Sequence, residues 1–127
     1  MNDIDRVREA LGPDGDRWIK GALHDMTRTR HCLIGAIEQA VYNHQYDTRP
    51  TPNTDAYGHW LTARDVRVHR IVTLLDTIVV EQYPDRQNYD HLDPVPAFND
   101  HEDTTWRDIE VVLDKVEVAL AERYPGA

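Results

Sequence analysis

Leu33, Ala36, Ile37, Ala40 and Val41 fall at i, i+3, i+4, i+7 and i+8. That spacing places five apolar side chains on one stripe of an α-helix, with Glu38, Gln39, Tyr42 and Asn43 largely on the other side. Such a stripe must be buried against another element, so it constrains the fold more than any other feature of the chain. The same period returns twice. Val68, Ile71, Val72, Leu75, Ile78 and Val79 form the inner face of a long helix ending near Gln82. Trp106, Ile109, Val112, Leu113, Val116, Ala119 and Leu120 form that of a last helix from Thr105 to Arg123. Ile4, Val7, Ala10 and Leu11 mark a shorter helix over 3–11, started by Asn2 or Asp3 and stopped by Gly12-Pro13. The expected fold is mainly α, a small bundle of three to four helices forming a single domain over 1–127.

The connections are less determined. Trp18, Ile19, Ala22 and Leu23 suit a helical turn or a short strand, and Thr27-Arg28-Thr29-Arg30 suits a return strand. A short β-hairpin over 17–30 is the favoured reading. Residues 45–54 carry Pro50 and Pro52 among polar side chains and read as a loop. The long helix then begins at Asp55 or at Thr62. Residues 84–103 read as a second long loop, with Pro84, Pro94 and Pro96 and an excess of Asp and Glu. Val95, Ala97 and Phe98 are expected to pin its middle to the core. A structureless connection of that length in a compact domain is usually functional or mobile.

The chain has 127 residues, 40% of them hydrophobic, which suffices for one core. No stretch approaches the roughly 20 apolar residues that span a bilayer. The acidic start Met1-Asn2-Asp3-Ile4-Asp5 lacks the apolar segment of a secretory signal, and the single cysteine, Cys32, excludes an internal disulfide. A cytoplasmic location is therefore expected. The net charge of -9 is repelled by phosphate, so binding to nucleic acid or to an anionic membrane is disfavoured.

No Gly-rich phosphate loop, His-Glu-x-x-His, paired-cysteine spacing or Gly-x-Ser-x-Gly occurs, so no catalytic residue, metal ligand or cofactor is assigned. The binding candidates are Asn99, Asp100, His101, Trp18, Cys32, Arg64 and Arg67. The run Asn99-Asp100-His101-Glu102-Asp103 has the chemistry to hold a divalent cation or to perform acid–base work. Capping the start of the last helix explains it more simply. Cys32 stands near the start of the second helix, where the dipole would favour a thiolate. A buried core cysteine is the better reading. Arg64, Arg67 and Arg70 recur at i, i+3 and i+6, and with Arg28, Arg30 and His31 would make an anion-binding face. Pairing with the 23 acidic side chains is favoured over that. Tyr57, Trp60, Tyr83 and Tyr89 lie near loops, where exposed aromatics would anchor a protein partner.

The order Arg17-Trp18-x-x-Gly21-Ala22, Cys32-x-x-Gly35-Ala36-x-x-x-Ala40, Phe98-Asn99-Asp100 and Val111-Val112-Leu113-Asp114-Lys115 resembles an uncharacterised actinobacterial family, domain of unknown function 6197, also carried by actinobacterial phages. The resemblance runs from about residue 4 to residue 122, with Pro50 to Asp55 outside the pattern. Family members often have Trp where this chain has Phe98. The resemblance implies one cytoplasmic domain and brings no catalytic residues. It suggests that Trp18, Gly21, Cys32, Gly35, Asn99 and Asp100 form one structural cluster. In that cluster Gly35 permits a close approach, Trp18 fills the gap, and Asn99-Asp100 ties the long loop to a helix end.

The leading expectation is a small non-enzymatic interaction or regulatory protein of phage or prophage origin whose partner is another protein. The wide apolar helix faces would also suit a homodimer. The first rival is a metal-binding protein or small enzyme using Asn99, Asp100 and His101. The second is an acidic DNA mimic.

Overall fold

The computed structural model describes residues 1–46, 50–51, 54–87 and 93–125, without the side chains of 45, 46, 57 and 60–62. Tyr89 and the side chains of Tyr57 and Trp60 lie outside the described residues. Among the described residues five α-helices follow in order: α1 Asp3–Leu11, α2 Leu33–Tyr46, α3 Asp55–Gln82, α4 Pro94–Asp100 and α5 Trp106–Arg123. A 3-10 turn at Pro84–Arg86 follows α3. Among the described residues no helix is long and apolar enough to cross a membrane.

The apolar stripes do what their periodicity requires. Leu33, Ala36, Ile37 and Val41 of α2 are fully enclosed, as are Ile71, Leu75 and Val79 of α3 and Ile109, Val112, Leu113 and Val116 of α5. Ile4, Val7 and Leu11 of α1 join them. α1 packs on α2 and α5, while α3 lies against α2, α4 and α5. α3 starts at Asp55, the earlier of the two expected starts, and buries a narrower stripe than expected, since Val68, Val72 and Ile78 are only partly covered.

Charged side chains tie the helix ends together around this core. Arg8 bonds Asp114 at 2.8 Å and Glu117 at 3.1 Å, joining α1 to α5. Arg67 pairs with Asp3, joining α3 to α1. Capping boxes start α1 (Asn2 with Asp5) and α5 (Thr105 with Asp108).

Two expectations need correction. The segment 84–103 is not one long loop, because Pro94–Asp100 is a helix. Its prolines are no obstacle. Pro94 opens the first turn and Pro96 lies within it, where a backbone N–H has no helical partner to lose. Val95, Ala97, Phe98 and Asn99 are buried, so the expected pinning is achieved by a helix rather than a loop.

Residues 17–30, in turn, form neither the favoured hairpin nor a helix. Only isolated bridges, Trp18 to His31 and His24 to His31, are present in this region. Gly21 at φ +83° and Arg28 at φ +57° turn the chain before a ladder can propagate. The Asp25 carboxylate also accepts the Thr29 and Arg30 amides, which draws those amides away from strand pairing. We call the resulting segment, residues 17–31, the strap.

Phe98 is fully buried and touches Tyr83 ring to ring at 4.9 Å. Replacing it by Ala should lower unfolding stability by about 3–5 kcal/mol, measured by urea titration.

Candidate functional site

The amide of Asn99 is the centre of the region that the sequence singled out. Asn99 ends α4 and is 1% exposed. Its Oδ1 accepts from Trp18 Nε1 at 2.8 Å and from the Leu33 backbone N–H at 3.0 Å. Its Nδ2 donates to the Ile19 carbonyl at 3.1 Å and to Asp100 Oδ1 at 2.9 Å. A primary amide has two acceptor sites and two donor hydrogens, and all four are used. Asp100 Oδ1 also accepts the Gly21 N–H at 2.9 Å, and Lys20 Nζ donates to the His101 carbonyl at 2.6 Å.

Leu33 is the first residue of α2, so Asn99 serves a helix start from 66 positions away. The rest of that helix start is served locally. Cys32 Sγ accepts the Gly35 N–H at 3.3 Å. A helix start has amides without intrahelical partners, and here a distant amide oxygen and a thiol supply two of them. Cys32 is 7% exposed, and burial pushes its thiol up, only partly offset by the Gly35 and Ile34 amides. The arrangement favours an inert core thiol over the thiolate that a helix dipole alone would favour.

Gly35 permits the close approach expected of it. A Cβ there would stand 2.1 Å from the Leu23 carbonyl oxygen, which is backbone and cannot swing away. Trp18 rests against Trp106 with ring centres 6.2 Å apart.

Sequence reasoning missed the histidine pair beside this cluster. His24 and His31 face each other with Nδ1 atoms 2.8 Å apart and rings edge to face. One ring must donate and the other accept, so the pair holds one proton between these two atoms. His31 is 3% exposed, and burial, then the neighbouring His24, then Arg17, hold its pKa below the usual histidine value against the opposing pull of Asp25. The pairing depends on how the strap folds back across its own bridges, and neither i, i+4 spacing nor composition signals it.

The remaining candidates are placed elsewhere or spent differently. Asn99 and Asp100 end α4 rather than starting the last helix, which Thr105 caps. His101 follows α4, and its Nδ1 accepts the Asp103 N–H at 3.1 Å. Among the described residues, no three His, Cys, Asp or Glu side chains converge as metal ligands. Arg67 is bonded to Asp3 and contacts His44, and Arg64 lies over the Tyr42 ring at 4.4 Å and beside Asp65. The arginines of α3 are thus spent on contacts of their own, Arg70 lying over the Tyr124 ring at 4.3 Å.

Two outcomes follow from this geometry. Asn99→Ala strands the Leu33 N–H, the Trp18 N–H and the Ile19 carbonyl, and should cost about 2–4 kcal/mol in a urea titration. An unchanged midpoint would show the amide to be dispensable. The second concerns pH. His31 takes up a proton less readily when folded than when unfolded, so the unfolded chain binds more protons as pH falls through the ordinary histidine value of 6.5. The His31 contribution to stability is full above that value and is lost progressively below it. Urea midpoints measured from about pH 7.5 to about pH 5 should fall, and His31→Gln should flatten that slope.

No curated protein and no solved structure matches the chain. The family model described as "Family of unknown function (DUF6197)" matches residues 2–119, a span that holds the strap, Asn99 and the histidine pair. The chain belongs to this family of unknown function.

Proposed function

We propose that the chain is a non-enzymatic, cytoplasmic protein-interaction module that makes its contact through the strap. The observation that carries this reading is what the strap displays. Met26 is fully exposed and Leu23 is 49% exposed, three positions apart on a segment that also presents Arg28 and Arg30. Neither arginine has an ion pair among the described residues, although the chain carries a net charge of -9. Apolar side chains flanked by unpaired cations are a combination that a free surface gains little from and a partner can use.

The strap is held in place before any partner arrives. The Asp25 N–H bonds the Arg30 carbonyl at 3.0 Å, and the Asp25 carboxylate closes the turn on the Thr29 and Arg30 amides. His31 N donates to the Arg17 carbonyl at 2.8 Å, and Cys32 N to the Leu23 carbonyl at 3.0 Å. A preformed loop loses little conformational freedom on binding, which favours affinity. The polar groups that a metal-binding protein or enzyme would draw on, Asn99 and Asp100, are by contrast engaged in holding this loop. The partner chemistry that fits is an acidic protein surface with an apolar pocket, since the strap supplies the complementary charge.

The test is quantitative cross-linking in the native host, comparing the chain with its Met26→Asp variant. Met26 touches nothing that folding needs, so the melting temperature should stay unchanged. Yields of specific cross-linked partners should drop at least about 10-fold, the scale of an interface anchor. Equal yields for both proteins would remove the strap from the contact.

A further inference from the structure

We propose that the strap of one molecule docks into an acidic groove on a second copy of the same chain. This deepens, and rests on, the reading of the strap as a contact element. The groove has a volume of about 400 Å³ and is bounded by α2, α3 and the start of α4. Ile34, Val68 and Val72 give it an apolar lining. Four carboxylates, Glu38, Asp65, Asp76 and Asp93, also line it, and among the described residues only Asp65 has an ion pair, with Arg64 at 3.4 Å. His69 and Tyr42 complete its polar lining.

Asp76 is the most informative of these groups. Its Oδ1 is buried and receives no hydrogen bond among the described residues. Burial and the nearby Asp93 push its carboxyl up, with the Val95 amide pulling the other way. That oxygen is closed to solvent, so a guanidinium entering the groove meets Glu38, Asp65 and Asp93 before Asp76. The groove therefore asks for an apolar side chain accompanied by cations. The strap offers Met26 and Leu23 together with Arg28 and Arg30.

The two surfaces do not satisfy each other within one molecule. No strap residue lines the groove, and Met26 is fully exposed. A second copy is the occupant whose chemistry is already on the chain. Exchange of straps across a two-fold axis would close a dimer, and head-to-tail contact would extend a chain. A short loop in a groove of this size buries less than the roughly 1,200 Å² of stable complexes, so the association is weak and needs concentrated protein.

Sedimentation velocity of the full chain tests this. The average mass should rise with concentration toward the millimolar range at about 50 mM salt, and return toward monomer at about 0.5 M salt, because screening removes charge pairing. A strap variant, Arg28→Ser with Arg30→Ser, and a groove variant, Glu38→Gln with Asp65→Asn, should each be monomeric. Mixed together they should form a 1:1 complex and grow no further, since each keeps one intact surface. Met26→Asp provides a substitution that cannot disturb the core should either double variant melt early. A wild-type chain that stays monomeric throughout, or a mixture that fails to pair, overturns the second-copy proposal. If Met26→Asp still abolishes cross-linking to other proteins in that case, the contact-element reading survives and the partner is a different acidic protein.

Discussion

The structure depends on one buried amide. Asn99 connects the end of α4, the start of α2 and the strap through four hydrogen bonds that leave no polar atom of the side chain unused. Burying an amide is tolerable only under that condition, because each missing partner would cost about as much as a good hydrogen bond gives. The consequence is directional. The apolar stripes bring α2 and α4 together, but they would allow small slides and rotations. Asn99 selects one arrangement, since only one places the Leu33 N–H, the Trp18 indole and the Ile19 carbonyl within reach at once.

The strap inherits its shape from that selection. It lacks a strand ladder and contributes little to the core, so local bonds must hold it. Trp18 and Ile19 anchor its first part on Asn99, and the bridges to His31 anchor its last part on the start of α2. Between these anchors the Asp25 turn is closed on itself. Burial pushes the Asp25 carboxyl up, but the Arg30 and Thr29 amides hold it below the usual carboxylate range, as expected of an acceptor organising a turn. The result is a fixed loop whose tip faces solvent. Apolar side chains at such a tip are not a by-product of burial elsewhere; the fold holds them out.

The helices were legible because their information is local. Leu33, Ile37 and Val41 report a helix through spacing alone, and the same holds for Ile109, Leu113 and Val116. α4 was hidden because Pro94 and Pro96 read as breakers unless their place in a first turn is known, and that place depends on where the helix begins. The cluster around Asn99 was partly legible. Trp18, Gly35, Asn99 and Asp100 stood out through the family resemblance, and Trp18 and Asp100 do bond Asn99, but the Leu23 backbone rather than Trp18 lies against Gly35. Its detail was not legible, since Asn99 meets Trp18 across 81 positions. The histidine pair was invisible for a different reason. His24 and His31 are seven apart, close to helical spacing, yet they meet only because Asp25 and Arg28 turn the chain between them.

Chemistry-bearing residues on a short chain invite a search for catalysis, and here several of them carry the architecture. Asn99 has every hydrogen-bonding atom of its side chain directed at neighbouring parts of the same chain, and Asp100 Oδ1, Cys32 Sγ and His31 Nδ1 are engaged in the same way. Groups poised for reaction need a free atom facing a cavity and a second group within reach of the same point. Groups poised for architecture need saturation, and saturation is what Asn99 has. Among the described residues, the strap leaves its cations without ion pairs and its apolar tip exposed, while the Asp76 oxygen is an acceptor without a donor buried in the wall of the groove. The complementary charge of strap and groove is therefore the feature on which the proposed contact rests.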